Sequence, residues 1–448
     1  MKIKNARLVP FIILFTTGGL IHSAPAQQRL TLQDCLQLAF KNSRLLKTSE
    51  MALQIAGQKI AASKAQQLPS VNISGIYTRI GKITEISIPS GPGGQKRTFR
   101  FGTPNRMNFE VKLQMPVFTW GWIGNTIALS ETGRDLSELD KKQQMAALTD
   151  QTLRAFYAVL LNEEVIRLHQ ANLRRAEDHL QATREQYNAG LVPKLEKLRA
   201  AVQVKNIQTS LNEAYGNLEK SRIFLAKTVG KNDEKFLITG ELQYVLFTQN
   251  VNRVINRALQ HRSDLKSFKI QQRMKGKQIS IAGSGNKPNL FFFSGYNVQN
   301  GFDPMNPDKF IDNWSMGLQL SIPLFDGFAT RHKVEQAKIE LRSVQMQEKE
   351  IEDLIRMQIR QTFVAIRQAE QKIQNQEENI ALAKEAYSVA EKQFRQGLVS
   401  SLEVSDARQA LNQNELVRTQ AIFNHIMAKL DLCKAIEDYT WFESSVEK

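Results

Sequence analysis

Cysteine is scarce in this chain. Only 2 cysteines occur in 448 residues, Cys35 and Cys433, and they lie near opposite ends. Two cysteines are too few for a disulfide-framed fold, and their separation excludes a CxxC redox or zinc motif. Two alternatives remain open: one bridge that ties the first helix to the last in an oxidising compartment, or two free thiols.

Long apolar runs are absent after the first residues. Residues 1–26 combine a basic start, a short apolar core and the small residues Ala24 and Ala26, which predicts an export signal cleaved after Ala26. Beyond it, no stretch approaches the roughly 18–20 apolar residues of a membrane-spanning helix. If the chain crosses a membrane, we expect it to use strands, because a closed barrel also satisfies its own backbone hydrogen bonds.

Catalytic and cofactor-binding motifs are also missing. The 6 histidines are scattered without the HExxH spacing of a zinc protease, and no GxSxG or GxxxxGK[ST] sequence occurs. The glycine-rich stretch SGPGG lies between predicted strands and not before a helix, which does not fit a phosphate-binding loop. We therefore expect no enzyme activity, no cofactor and no metal site.

Basic residues outnumber acidic residues by 60 to 44, which gives a formal net charge of +16. Nucleic acid, lipid phosphates or an acidic cell-wall polymer could attract such a chain. The two signs alternate along helix-type sequence, however, as is typical of solvated helix faces. We expect no nucleic-acid partner. The basic cluster Lys96, Arg97 and Arg100 could contact outer-membrane lipid phosphates or form a solvated loop.

What the chain does contain is an internal duplication. The stretch TLQDCLQLAFKNSRLLK is echoed by VNRVINRALQHRSDLK, and after a single insertion Gly190 matches Gly397. A repeat found early constrains the whole fold. It predicts a first structural repeat over 27–249 and a second over 250–448.

Each repeat contains two short stretches with the period of two that indicates a strand. Apolar and polar residues alternate in NFEVKLQMPVF at 108–118 and in WSMGLQLSIPLF at 314–325. A second candidate strand precedes each, at 70–80 and at 289–299, and loop-type sequence connects the members of each pair. Four strands per chain are therefore expected.

After the strands the apolar period changes to seven. Ile359, Ile366 and Ile373 belong to one such series, and Val159 and Ile166 belong to its counterpart in the first repeat. This pattern predicts long antiparallel coiled-coil helices. No proline interrupts either stretch of about 65 residues, so each helix would be near 100 Å long.

The long helices end at related sequences, QYNAGLVPKLEKLRAAV and QFRQGLVSSLEVSDARQAL. Glycine is typical of a helix C-terminal cap, so Gly190 and Gly397 predict sharp tips at 190–193 and 397–400. A helix then returns from each tip. The first returning helix leads into a connecting segment at 229–249, and the second leads into a C-terminal tail.

Four strands cannot close a membrane barrel, since the smallest use about eight. Three copies with four strands each would supply a twelve-stranded barrel above a coiled-coil tube. Aromatic residues stand where strands become helices, as in an interfacial girdle, although ordinary helix-top packing is the alternative. They are Trp120, Trp122, Phe325 and Phe328.

This arrangement resembles the TolC family of outer-membrane efflux and secretion channels over nearly the whole mature chain. The resemblance rests on the duplicated order, on PLFDGF at 323–328 and on GLVSSLEVSDARQAL at 397–411. It implies a mainly α fold with a membrane β-barrel portion, a homotrimer in the cell outer membrane and a periplasmic helical tunnel. It also implies a passive duct that works with a periplasmic adaptor and an inner-membrane pump of the RND or ABC type. The sequence does not choose between drug, metal and protein cargo.

The resemblance further implies a gate. Two acidic residues after the second tip line the periplasmic entrance in this family, and Glu403 and Asp406 match them, as an acidic ring in a trimer. The alternative is that acids in the first turn of a helix favour its dipole. The first repeat carries Glu196 and Arg199 at these positions. Val399 stands where family members often have an arginine.

Both tips combine a glycine with apolar residues, which we interpret as the adaptor-docking surface, with a self-packed cap as the alternative. The residues are Gly190, Leu191, Val192, Gly397, Leu398 and Val399. A rival hypothesis is a soluble periplasmic scaffold or cell-wall-binding protein. It explains the charge and the heptads, but not four alternating strands placed in pairs.

Overall fold

The structure is a computed structural model that describes residues 29–89, 96–231, 236–303 and 305–443. The export signal predicted over 1–26 lies outside these ranges. The side chains of the basic cluster Lys96, Arg97 and Arg100 are also outside the description.

The chain folds twice into a similar order of elements, with an extra pair of strands in the first set and a short extra helix at the end of the second. The first set is β1 (Arg29–Leu30), α1 (Leu32–Asn42), α2 (Arg44–Ala65), β2 (Ser70–Arg79), β3 (Thr84–Pro89), β4 (Lys96–Phe101), β5 (Asn105–Phe118), α3 (Trp122–Asn188) and α4 (Lys194–Val229). The second set is β6 (Leu237–Ile238), α5 (Val251–His261), α6 (Ser263–Gly283), β7 (Asn289–Gln299), β8 (Ile311–Ser321), α7 (Ala329–Arg395), α8 (Ser401–Ile436) and α9 (Thr440–Glu443).

The long helices have equal lengths in the two sets. Helices α3 and α7 contain 67 residues each, and helices α4 and α8 contain 36 residues each. A helix of that greater length spans about 100 Å. Each set therefore builds one long helical hairpin, α3 with α4 and α7 with α8. None of the helices in the described ranges carries the apolar stretch that a membrane span needs.

Strands β2, β5, β7 and β8 form one antiparallel sheet in that order, and the β5–β7 pair joins the two sets. The register aligns apolar residues on one face, including Ile73, Val111, Tyr296 and Trp314. It aligns smaller or polar residues on the other face, including Asn72, Lys112, Gly295 and Ser315. Within the described ranges, β2 and β8 pair on one side only.

Two strand predictions need correction. The strand predicted over 314–325 begins at Ile311 and ends at Ser321. Pro323 has no N–H to donate to a ladder, and the chain then enters positive φ at Gly327 and Phe328. The stretch between the first two predicted strands is also more than a loop, because β3 and β4 pair there as an antiparallel hairpin. Its alternating pattern is short, which is why the sequence pointed only to loop residues.

The heptad residues form the helical core. Val159, Ile359 and Ile373 are fully buried, and Ile166 and Ile366 are nearly so. One core cluster joins α1, α3, α4, α8 and α9, and a second joins α5, α6, α7 and α8. Complete burial of one such side chain stabilises the fold by about 1.5–3 kcal/mol.

The disulfide alternative for Cys35 and Cys433 is wrong, because both cysteines are free and buried. Both belong to the first core cluster. Burial raises the pKa of each thiol to about 12, so each cysteine acts as a small apolar side chain and not as a reactive thiolate.

Candidate functional site at the helical turns

The turns that close the two hairpins have the same backbone geometry. Gly190 and Gly397 both adopt φ 76°, a left-handed conformation. The N–H of Leu191 donates to the carbonyl of Gln186 at 2.9 Å, and the N–H of Leu398 donates to the carbonyl of Gln393 at 2.9 Å. These hydrogen bonds satisfy the last free carbonyls of each long helix. A Cβ at either glycine would meet nothing within 4 Å, so only the backbone conformation requires glycine.

Both turns expose an apolar residue. Leu191 is 74% exposed and Leu398 is 69% exposed. Val192 and Val399, which follow them, are half-buried. Each turn therefore presents one strongly exposed leucine. The adaptor-docking role expected for these residues from the sequence stays a prediction.

The acidic pair lies at the start of α8. Glu403 and Asp406 are both exposed. The carboxylate of Glu403 accepts hydrogen bonds from the N–H of Ser400, at 2.7 Å, and from the Ser400 hydroxyl. These hydrogen bonds, chiefly that from the hydroxyl, lower the pKa of Glu403. Glu403 therefore stays ionised while it caps the helix, and Asp406 presents a second carboxylate beside it.

The chain reversal at Gly190 is followed by a different pair of side chains at the positions that match Glu403 and Asp406. The guanidinium of Arg199 donates to the carboxylate of Glu196 at 3.1 Å. That pair is neutral as a whole, whereas Glu403 and Asp406 together carry two negative charges. The two turns therefore share a backbone but differ in charge.

A ladder of polar contacts brings the two hairpins together near the turns. Asn172, His179 and Gln186 recur every seventh residue on α3. Asn172 accepts a hydrogen bond from the guanidinium of Arg408 at 2.9 Å, and His179 Nε2 lies 2.8 Å from the hydroxyl of Ser401. The side-chain amide of Gln186 donates to the carbonyl of Phe394 at 3.0 Å. The partners Phe394, Ser401 and Arg408 also recur every seventh residue.

Burial within this ladder changes the chemistry of His179. Burial, followed by the nearby guanidinium of Arg408, lowers the pKa of His179 to about 4. The imidazole is therefore neutral at pH 7. Farther from the turns, seven residues after Arg408, Glu415 on α8 accepts a hydrogen bond from the guanidinium of Arg175 on α3 at 2.8 Å. The sequence reasoning missed this seam, although the heptad spacing of its polar residues was a readable signal.

The aromatic residues lie at the opposite end of the long helices. Trp120 and Phe328 both have positive φ, at 47° and 64°, in the turns that lead from the sheet into α3 and α7. Trp120 packs edge-on against Phe118, and Phe325 packs edge-on against Phe328, with centroids 5.4 Å apart in both pairs. All four predicted aromatics remain exposed, with Phe325 the most exposed at 75%.

Known proteins share this architecture. Outer membrane protein TolC of Escherichia coli (strain K12) is 20% identical over 442 residues, which cover 96% of this chain and 86% of that protein. The outer membrane protein VceC of Vibrio cholerae has a similar structure, with a TM-score of 0.73 and 15% identity over 91% of this chain and 96% of that chain. The CmeC outer membrane channel of Campylobacter jejuni gives a TM-score of 0.72 at 17% identity, over 93% and 89%.

A family model described as outer membrane efflux protein matches residues 35–231 and 254–422. The match includes both long helices, both turns and all four strands of the main sheet. Because it spans most of the chain, this protein belongs to the outer membrane efflux protein family.

Proposed function

We propose that three copies of this chain form a passive efflux duct through the outer membrane, with a helical tunnel extending into the periplasm. Family membership supports the outer-membrane location and the transport role. The duct itself performs no chemistry. A periplasmic adaptor and an inner-membrane pump, of the RND or ABC type, would supply opening and energy.

The sheet carries this proposal furthest. On β8, Trp314, Met316, Leu318 and Leu320 are 60–66% exposed along one face. An apolar sheet face of this extent suits lipid, but strand edges left unpaired in lipid are costly. The edges of β2 and β8 can pair with neighbouring copies, and three copies with four strands each close a twelve-stranded barrel.

The aromatic turns fit the periplasmic boundary of such a barrel. Trp120, Trp122, Phe325 and Phe328 are exposed beside the sheet, at the level where the long helices begin. Aromatic rings of this kind favour the boundary between lipid and water. Their place between the sheet and the helices would fix the depth of the barrel in the membrane.

The turns at the far end fit the tunnel entrance. In a trimer, Glu403 and Asp406 would supply a ring of carboxylates that attracts cations and can hold a divalent metal ion. The exposed Leu191 and Leu398, with their glycines and valines, would form the surface on which the adaptor docks. The Glu196–Arg199 pair is neutral as a whole, so the first hairpin would add no carboxylates to this ring and would face away from the lumen.

Cross-linking across the sheet edges tests the assembly. Ile73→Cys on β2 and Leu318→Cys on β8 place thiols on exposed positions of the two edge strands. A short thiol cross-linker added to outer membranes should then give covalent dimers and trimers. The native Cys35 and Cys433 are buried and should not react.

The matched control places both thiols inside the sheet. Val111→Cys and Tyr296→Cys are direct partners in the β5–β7 pair, so their cross-link should stay within one chain. A monomer released into the periplasmic extract without detergent would contradict the duct and favour a soluble scaffold. Cross-linked species larger than a trimer would contradict the proposed number of copies.

A further inference from the structure

Arg408 is a buried cation on α8. The residue is 1% exposed and packs against α3. One guanidinium nitrogen donates to Asn172 Oδ1 at 2.9 Å, and another lies 3.4 Å from the hydroxyl of Ser405. Its Nε has no hydrogen-bond partner. No carboxylate in the described ranges forms an ion pair with Arg408.

The neighbouring groups do not compensate this charge. Arg175 lies on the adjacent turn of α3 and adds a second positive charge, but Glu415 already pairs with it at 2.8 Å. His179 is neutral at pH 7. A guanidinium stays protonated in proteins, and an isolated buried charge is strongly unfavourable. The guanidinium of Arg408 therefore has no counter-charge among the described residues.

A small polar cavity adjoins the guanidinium. Its volume is about 150 Å³; residues of α3, α4 and α8 line it, and the exposed Asn206 and Gln409 lie at its open side. Its lining includes amides, a hydroxyl, an imidazole and the guanidinium, from Asn172, Gln203, Ser210, Asn412, His169 and Arg408. No aspartate or glutamate is among the lining residues. Such a space holds a small ion with a few water molecules, each of which takes about 30 Å³.

Two further polar atoms in this cavity lack partners. His169 Nδ1 and Asn412 Oδ1 are buried and form no hydrogen bond within the described part of the chain. An amide can turn by a half rotation and offer its N–H groups in place of its oxygen. Buried polar groups are usually satisfied, so three such atoms around one cavity favour a site for a polar or charged ligand.

We propose that this cavity binds a small monovalent anion, such as a halide ion, against the guanidinium of Arg408. The anion neutralises the buried charge and accepts hydrogen bonds from the amides around it. Because the cavity belongs to α3 and α4 of one hairpin and α8 of the other, the anion links the two hairpins near the turns. It therefore stabilises the packing of the helical end.

Thermal unfolding of the detergent-solubilised full chain tests this site. Replacing sodium gluconate by sodium chloride at constant ionic strength should raise Tm by about 2 °C or more, and the rise should saturate with chloride. Arg408→Gln should abolish the chloride-dependent rise. The matched control is Arg199→Gln, which changes an exposed arginine of α4 that does not line the cavity and should retain the rise. Equal Tm in both salts, or a rise that survives in Arg408→Gln, would overturn the proposal.

A second measurement on the unmodified protein covers the case in which Arg408→Gln does not fold. Crystals grown in sodium bromide should show an anomalous peak within about 3.5 Å of the Arg408 guanidinium. Ordered water without an anomalous signal would refute the site. A carboxylate from a neighbouring copy of the chain at this position would refute it equally.

Discussion

The turn at Gly190 and the turn at Gly397 can be compared residue by residue, because the same backbone closes both hairpins. Both glycines have φ 76°, and in each case the next leucine makes the same 2.9 Å hydrogen bond to the preceding helix. The differences begin one turn later. Arg199 pairs with Glu196 after the first turn, whereas Asp406 adds a second carboxylate to Glu403 after the second.

The comparison shows which residues the chain reversal requires and which exposed residues can differ between the two turns. The left-handed glycine and the closing hydrogen bonds are needed to reverse the chain, so both copies retain them. The charged side chains are exposed, and changes among exposed side chains usually cost little stability. The duplicated hairpins therefore share one backbone shape, while the second presents two exposed carboxylates after its turn.

The largest expected effect comes from removing the charge difference. Glu403→Gln with Asp406→Asn should raise conductance in planar bilayers by about twofold or more and weaken block by divalent cations, because the carboxylates would no longer hold a cation in the entrance. Glu196→Gln in the first hairpin is the matched control and should change neither quantity. If the acidic double variant conducts and is blocked like the parent, the constriction lies elsewhere.

The next effect concerns the contact between the hairpins. His179 has a pKa of about 4 in the folded state against an ordinary value of 6.5. Below about pH 6.5 the unfolded chain binds a proton that the folded chain excludes, so the free energy of unfolding should fall between pH 6.5 and 4, by on the order of 3 kcal/mol. Urea unfolding at pH 7 and pH 4.5 measures the difference.

His179→Gln should remove most of that pH dependence. His332 is exposed, and His332→Gln is the control that should leave the pH dependence unchanged. An identical loss of stability between pH 7 and pH 4.5 in His179→Gln and in the parent would show that other groups dominate the titration.

The smallest effect tests the shared backbone. Gly190→Ala and Gly397→Ala should each destabilise the chain by about 1 kcal/mol, because alanine at positive φ is strained while its Cβ meets no neighbour. Equal and additive losses in urea unfolding would confirm that the turns are equivalent. A much larger loss of unfolding free energy at one turn would show that contacts in the assembled protein stabilise the two turns to different extents.

Much of this fold could be predicted from local periodicity. The period of two located β5 and most of β8, and the candidate strands expected before them coincide with β2 and β7. The period of seven located the core of α3 and α7, and the glycines located both turns. The β3–β4 hairpin and the end of β8 at Ser321 were missed, because short alternation and a proline near a strand end give weak signals. For the site, the exposed leucines and acids were predictable, but Arg408 and its cavity were not.

The sequence by itself determined the duplication, the element order, the helix lengths and the places where the chain reverses, because each depends on residues close together along the chain. Tertiary structure alone decided which polar residues meet between the hairpins, left Cys35 and Cys433 free in one core, and buried Arg408 without a carboxylate partner in the part of the chain that the structure describes. Those outcomes depend on how α3, α4 and α8 pack across more than two hundred residues of chain. The heptad spacing of the polar residues marks the seam along the chain, but burial and partner distance arise only when the helices come together.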